Sequence, residues 1–300
     1  EGEGSLYVRI RRGKLKELRF RIYEPPRFFE AFLRGKGYAE VPDITARICG
    51  ICPVAYQMSS VHALEGLFGT LVPPGTRELR RLLYCAEYIE SHALHIYLLQ
   101  APDLLGYADA IEMAKDHKGL VETGLRLKKA GNTLMAVIGG REIHPVSVRV
   151  GGFHRAVAAQ RLKSLLPELA WARGAAEDTL RWACGRDFPP FDQDYEFVAL
   201  RHDSEYPLNE GRIASSKGLD IPACEFNAHL EELHVPHSNA LHSRRKGGGP
   251  YLVGPLARFN LNFDRLPESV RSACRKLGLV PLGRNPFMGV AVRAAELLFA

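Results

Sequence analysis

The chain has 300 residues, of which 46% are apolar and 25% charged, as is typical of a soluble globular protein with a substantial core. Its 40 lysines and arginines exceed its 34 acidic residues by six, but they are spread along the chain, which argues against a nucleic-acid-binding protein. No apolar run approaches the roughly 20 residues of a membrane span. The six cysteines are too few for a disulfide scaffold, so a reducing compartment is expected.

The first predicted element is a β-hairpin over residues 5–23, because apolar and polar residues alternate on both sides of Gly13-Lys14. The next stretch, EPPRFFEAFLRGKG, has prolines where a helix begins and glycines where one ends, and it predicts a short helix. Pro53 opens a helical pattern that ends near Gly66 to Gly69. Further helical patterns cover residues 76–99, 108–130, 155–184, 266–277 and 286–300.

Residues 194–262 differ from the rest, because the turn-rich segments EYPLNEGRI, SSKGLDIP and RRKGGGPYLVGP predict irregular β structure and loops. The predicted fold class is therefore α+β and predominantly helical. We expect one domain over 1–300, with a β-hairpin (1–24), a helical core (25–185), a β- and loop-rich region (186–262) and returning helices (263–300). A start at Glu1 and an end within a helical pattern lead us to expect a chain truncated at both ends.

One Cys-x-x-Cys pair, Cys49 and Cys52 in RICGICP, is the candidate for chemistry. A zinc ribbon needs a second close pair and a thioredoxin-type site needs a βαβ setting, and neither is present. A metal site, a redox dithiol and an incidental pair stay open at this point. Cys52 directly precedes a predicted helix, whose unpaired amides and dipole should favour its thiolate.

A second cluster lies in CEFNAHLEELHVPHSNALH, which holds one cysteine and four histidines within nineteen residues. Its density suggests zinc, but its spacing fits no standard zinc site. We therefore expect a structural loop there, formed around Cys224, His229, His234, His237 and His242.

The stretch RICGICPVAYQMSSVHALE resembles the Arg-x-Cys-Gly-x-Cys motif of the large, catalytic subunit of NiFe hydrogenases. Further stretches are similar to that family in the same order: EGEGSLYVRI, PPRFFEAFLRGKG, ESHALHIYLLQAPD, GGREIHPVSVRVGGF and NPFMGVAVRAAELLFA. The resemblance covers essentially the whole chain. The form with Tyr56 looks most like the cytoplasmic, NAD(P)-linked group often called sulfhydrogenases, and it implies reversible H2 oxidation and proton reduction.

The resemblance implies that Cys49 and Cys52 supply two of four thiolates on nickel, with Cys52 also bridging to an iron that carries cyanide and carbonyl ligands, a Ni-Fe(CN)2CO centre. Soft thiolates suit nickel, and Gly50 is expected to let the backbone turn so that both sulfurs converge. Arg47 is expected to orient the loop through backbone carbonyls, with a structural ion pair as the alternative. Tyr56 stands where many relatives have a histidine that hydrogen-bonds the bridging cysteine, and its phenol can donate the same bond.

The resemblance also implies a role for two carboxylates. Glu1 would take a proton from a nickel-bound cysteine, unless it is a frayed terminus, and Glu30 would bind Mg2+, unless it is a plain helix-surface residue. Ser91 replaces an aspartate found in many relatives. His92 and His95 are expected to be buried, hydrogen-bonded core histidines rather than ligands.

The implied partners are an iron–sulfur small subunit, diaphorase subunits that carry FAD and use NAD(P), and maturation proteins; iron–sulfur clusters and flavin would lie only in those partners. The family's second motif, Asp-Pro-Cys-x-x-Cys-x-x-His, does not occur in the 300 residues, so the chain as given is expected to be inactive alone. Two alternatives are a quinone-site subunit related to respiratory complexes, which the two cysteines disfavour, and a degenerate, zinc-binding interaction protein.

Overall fold

The computed structural model describes residues 3–24, 27–281 and 283–300, and it is mostly helical with small antiparallel sheets. The helices are α1 (Phe29–Leu33), α2 (Val41–Ala46), α3 (Pro53–Phe68), α4 (Pro74–Leu94), α5 (Ala101–Leu105), α6 (Ala110–Met113), α7 (Lys118–Gly139), α8 (Ala159–Lys163), α9 (Leu166–Cys184), α10 (Phe226–His229), α11 (Pro255–Asn262), α12 (Glu268–Lys276) and α13 (Gly289–Phe299). Residues His95–Gln100 form a π-helix between α4 and α5, and single 3₁₀ turns span Ala223–Glu225, Phe263–Arg265 and Pro286–Met288. The predicted fold class is confirmed.

Nine strands are present within the described ranges, and every sheet is antiparallel. They are β1 (Gly4–Arg11), β2 (Lys14–Ile22), β3 (Val148–Arg149), β4 (Gly152–Phe153), β5 (Val198–Arg201), β6 (Arg212–Ser215), β7 (Asp220–Ile221), β8 (Leu230–Leu233) and β9 (His242–Arg245). The pairs are β1 with β2, β3 with β4 and β8 with β9, while β5, β6 and β7 form one sheet in that order.

The hairpin of β1 and β2 follows the predicted register around Gly13, with a bulge between Arg9 and Ile10. One face carries six exposed apolar side chains: Leu6, Val8, Ile10, Leu15, Leu18 and Phe20. A two-stranded hairpin is at best marginally stable in water by itself. Its end is held by Asn239, whose backbone N–H donates to Ile22 O at 2.9 Å, and by Ser238, whose hydroxyl accepts from Ile22 N.

The core consists of two clusters that meet along α4. The larger cluster joins the end of α4 and the π-helix to α7, α9, α11, α12 and α13, and the smaller one packs α3 against the first half of α4 and the end of α7. The helical body thus presents the start of α3, and with it the cysteine loop, beside α4. Within the described ranges, no helix combines the length and the hydropathy that a membrane crossing needs.

Several elements differ from the sequence-based expectation. Helix α11 begins at Pro255, inside the region predicted as β structure and loops, and α7 runs on past residue 130 to Gly139. The predicted helix over 108–130 is divided into α6 and α7, and the one over 155–184 into α8 and α9. Asp109 caps the start of α6 by accepting from the backbone N–H groups of Ile111 and Glu112 at 2.8 Å.

Candidate metal site at the cysteine loop

The loop between α2 and α3 brings the two candidate thiols together. The Cys49 sulfur accepts hydrogen bonds from the backbone N–H groups of Ile51 at 3.4 Å and Cys52 at 3.3 Å. The thiols themselves lie within hydrogen-bonding distance of each other, both are half-buried, and neither is in a disulfide. Two free sulfurs therefore face the same small volume, which is the arrangement that a shared soft metal ion requires.

Two side chains hold the carbonyl groups that lead into this loop. The Arg27 guanidinium donates to Ile48 O at 2.6 Å, and the His144 ring donates from Nδ1 to Ala46 O at 2.7 Å. His144 adopts a left-handed backbone conformation, with φ of 52°, that is uncommon for a residue with a side chain. Sequence reasoning assigned this task to Arg47, whose guanidinium has no hydrogen bond or ion pair among the described residues; its role stays a prediction.

The expected need for Gly50 is not borne out by its geometry. Its φ is not positive, and a Cβ built at this position would meet Ile143 Cγ2 at 3.8 Å and His144 Cε1 at 4.0 Å, which are ordinary contacts. The turn of the loop is stabilised by hydrogen bonds from the backbone N–H groups of Ile51 and Cys52 to the Cys49 sulfur. It does not depend on a backbone conformation that only glycine adopts readily.

The first turn of α3 also differs from expectation. The carboxylate of Glu87, on α4, accepts from the backbone N–H of Val54 at 2.6 Å and from that of Ala55, so these amides are no longer free to stabilise a Cys52 thiolate. The expected preference for the Cys52 thiolate is therefore wrong. Burial, the hydrogen bond with Cys49, and the charges of Cys49 and Glu87 raise the pKa of Cys52 to about 12.

Glu87 is itself an unusual group, because its side chain is buried at 3% exposure and no Lys, Arg or His of the described chain pairs with it. Burial raises its pKa to about 8, against the two backbone hydrogen bonds that lower it. Beside it lies a cavity of about 390 Å³, lined on one side by Ala55, Tyr84, Tyr88 and Arg258. Sequence reasoning missed Glu87, although a carboxylate on the apolar face of the α4 pattern was a usable signal.

The other predicted site residues are placed as follows. Tyr56 is 40% exposed; burial and the nearby charges of Cys52 and Cys49 raise its pKa, but its hydroxyl has no hydrogen-bond partner in the part of the chain that is described. Glu30 is 92% exposed in α1 and lies 3.9 Å from Arg34. Glu1 lies outside the described residues. The roles assigned to these three residues stay predictions.

The histidines after Glu90 match expectation in part. His92 is buried and its Nε2 lies 2.9 Å from Glu296 Oε2, so it is a hydrogen-bonded core residue, as predicted. His95 is only half-buried, and its Nδ1 has no partner among the described residues. Burial and the neighbouring Arg293 lower the pKa of His95 to about 4, which keeps its ring neutral near pH 7.

The predicted zinc alternative has no geometric support. In residues 3–24, 27–281 and 283–300, one group of three potential ligands converges, His202, Glu205 and Glu210, and it includes no residue of the histidine-rich segment. Arg77 donates to both of its glutamates, at 2.5 Å and 2.7 Å, so their charges are already balanced.

The two cysteines of the loop account for two of the four thiolate ligands that the family resemblance implies for nickel. Cys49 and Cys52 offer two adjacent soft donors, while the other four cysteines join no potential ligand group in the described ranges. The pair therefore suits nickel as a two-thiolate half-site, and it does not form a closed four-thiolate site by itself.

Comparisons with known proteins agree with this arrangement. Residues 27–123, which include the loop, match the family of nickel-dependent hydrogenases. The alpha subunit of sulfhydrogenase 2 from Pyrococcus furiosus is 46% identical over 272 residues, which are 89% of this chain and 62% of that protein. The alpha subunit of sulfhydrogenase 1 from the same organism is 32% identical over 301 residues, with 100% of this chain and 70% of that protein covered.

Among solved structures, an NAD+-reducing NiFe hydrogenase in the H2-reduced state matches with a TM-score of 0.86 at 26% identity, over 100% of this chain and 73% of that one. The Ni-Fe-Se hydrogenase from D. vulgaris Hildenborough matches with a TM-score of 0.70 at 23% identity, over 100% of this chain and 74% of that one, and shows the shared fold. The chain thus spans about two thirds to three quarters of the proteins that it resembles.

Proposed function

The chain belongs to the family of nickel-dependent hydrogenases. From that premise we propose that it forms most of the catalytic subunit of an enzyme that oxidises H2 and reduces protons. The observation that carries the proposal is the convergence of the free Cys49 and Cys52 thiols in one half-buried loop. This loop lies within the part of the chain that matches the family.

Cys49 and Cys52 would hold the nickel–iron centre, Ni-Fe(CN)2CO, from one side. When bound, that centre supplies the redox and Lewis-acid chemistry of H2 cleavage. The chain's own task is to shape the loop, to exclude water around two half-buried sulfurs and to give up the thiol protons on metal loading. Burial and Cys49 raise the pKa of Cys52, and a bound cation would favour its thiolate and release the proton.

We assign proton handling to two groups. The Cys52 Sγ accepts a proton during turnover and Glu1 carries it away as a general base. Arg47 and Tyr56 would complete the surroundings of the loop, and Glu30 would bind Mg2+. That last assignment requires a rearrangement, because Glu30 is 92% exposed and close to Arg34.

Electrons would leave through an iron–sulfur small subunit to diaphorase subunits that carry FAD and use NAD(P), with maturation proteins loading the metals. The similarity to alpha subunits and to an NAD+-reducing hydrogenase supports such a heteromultimer. We place it in the cytoplasm. We further propose that 1–300 fold as one domain of this subunit, from the hairpin through the helical core to the returning helices.

The test is Cys52→Ser in the intact enzyme complex, with Cys184→Ser as the matched control. Cys184 is a half-buried free thiol at the end of α9 and belongs to no potential metal site. We expect Cys52→Ser to lose nickel and H2-dependent dye reduction, because an alcohol is a poor soft-metal ligand, while the control keeps both. Normal nickel and activity in Cys52→Ser would overturn the assignment, and zinc without nickel in the wild type would favour an interaction protein.

A further inference from the structure

The first turn of α3 is capped from another helix. Cys52 is the residue that precedes the helix, and its side chain makes no capping hydrogen bond. Pro53 has no N–H, so Val54 and Ala55 carry the first amides that need a partner. Glu87 of α4, 33 residues away from Val54 in the chain, satisfies both of these amides.

Burying the Glu87 carboxyl group costs free energy. A buried carboxyl group without a cationic partner loses its hydration, and hydrogen bonds or protonation must offset that loss. Glu90, one turn further along α4, is just as buried at 3% exposure, but Lys128 pairs with it at 3.0 Å. Glu87 has the two α3 amides instead, so its position and that of the first α3 turn depend on each other.

We propose that Glu87 is a positioning residue, which fixes the first turn of α3 and thereby the place of the Cys52 sulfur. Val54, Met58 and Val61 pack α3 against α4 through apolar contacts, and in the first turn the backbone N–H of Val54 is also held by Glu87 at 2.6 Å. Because Glu87 accepts from these amides, the Cys52 sulfur does not cap the helix and remains available to bind a metal. As far as it concerns nickel, this inference rests on the proposed function.

The test compares Glu87→Ala, Glu87→Gln and the matched control Glu90→Gln in the intact complex. Hydrogen exchange of the Val54 and Ala55 amides is the first readout. Loss of the accepting carboxyl group should speed exchange roughly threefold or more in Glu87→Ala. Glu87→Gln retains one accepting oxygen and should restore part of the protection, while Glu90→Gln should leave both amides unchanged.

The second readout is the ratio of Cys52 to Cys49 alkylation after metal removal, together with nickel content before it. A merely structural role would lower the melting temperature in Glu87→Ala and Glu90→Gln alike and leave that ratio unchanged. We expect the ratio and the nickel content to change in Glu87→Ala, with partial rescue in Glu87→Gln.

Unchanged exchange at Val54 and Ala55 in Glu87→Ala would overturn the inference, as would equal effects of the Glu87 and Glu90 variants. The proposed function fails separately, because a wild type without nickel would refute it and leave the exchange result valid. If Glu87→Ala does not accumulate, the same comparison between Glu87→Gln and Glu90→Gln decides the question.

Discussion

Glu65 and Arg80 form a buried ion pair that joins the end of α3 to α4. Both Glu65 oxygens accept from Arg80, at 2.6 Å and 2.9 Å, and Glu65 also accepts from the backbone N–H of Gly151 at 2.7 Å. Burial would raise the pKa of Glu65, but hydrogen bonds from Arg80 and Gly151 outweigh it, and the pKa is lowered. The pair thus secures the far end of the helix whose first turn carries Cys52.

Replacing Glu65 by alanine should strongly destabilise the fold, because it leaves the Arg80 guanidinium, at 2% exposure, buried without its partner. We expect a loss of about 3–5 kcal/mol in the free energy of unfolding. Chemical denaturation of the variant and the wild type measures this difference. Glu78→Ala is the control, since Glu78 is an exposed partner of Arg77 and should change stability by less than about 0.5 kcal/mol.

The same pair predicts the sign of a pH effect. A carboxyl group whose pKa is lowered in the folded state contributes stability above its unfolded pKa, near 4.5, and that contribution is lost as pH falls through the lower, folded value. The difference between wild type and Glu65→Ala should therefore be constant near neutral pH and shrink in acid. A difference that grows on acidification would contradict this account.

Single residues of the cysteine loop show why a local pattern was not enough. The spacing of Cys49 and Cys52 and the helix start at Pro53 were read correctly from the sequence. The direction of the Cys52 pKa shift was not, because it is set first by burial and by Cys49, and burial appears only after α3 and α4 pack. His144 and Arg27 hold the loop for the same reason, and only tertiary contacts reveal them.

At the scale of elements, α4 and α7 pack closely against each other. A Cβ built on Gly131 would lie 2.6 Å from the Glu90 backbone nitrogen and 2.7 Å from the Ala86 oxygen, so no side chain fits between these helices. The predicted helix ended at residue 130, directly before Gly131. In the structure Gly131 is a packing residue in mid-helix, and α7 continues to Gly139 and is capped by Gly140, whose φ is 82°.

Gly131→Ala should therefore force α4 and α7 apart and destabilise the protein by about 1–3 kcal/mol, the range for overpacking. Gly119→Ala, in the same helix, meets nothing within 4 Å and should leave the stability unchanged or slightly raise it. Thermal unfolding of both variants measures the contrast. Equal melting temperatures would show that the two helices are not in close contact.

Other elements show where sequence periodicity suffices. The hairpin, α3 and α4 follow patterns that depend on neighbours in the chain, and their predicted positions agree with the structure to within a few residues. The π-helix at His95–Gln100 and the helix α11 carry no such local signal. Leu256 and Phe259 of α11 are buried in the larger core cluster, so tertiary packing selects a helix in a turn-rich segment.

At the scale of the molecule, the structure provides a scaffold that presents two sulfurs and their supporting groups beside α4. The family membership, the loop geometry and the similarity to hydrogenase alpha subunits support the proposed metal site at Cys49 and Cys52. The proposal gives two thiolates to the described residues and requires that the holoenzyme complete the coordination of nickel with further sulfur ligands.

X-ray absorption at the nickel edge of the purified holoenzyme, with metal analysis of the same sample, tests this claim most directly. The account predicts one nickel per chain with sulfur atoms as its nearest neighbours, since two of its ligands are the Cys49 and Cys52 thiolates. Zinc in place of nickel, or nickel surrounded only by nitrogen and oxygen, would contradict it.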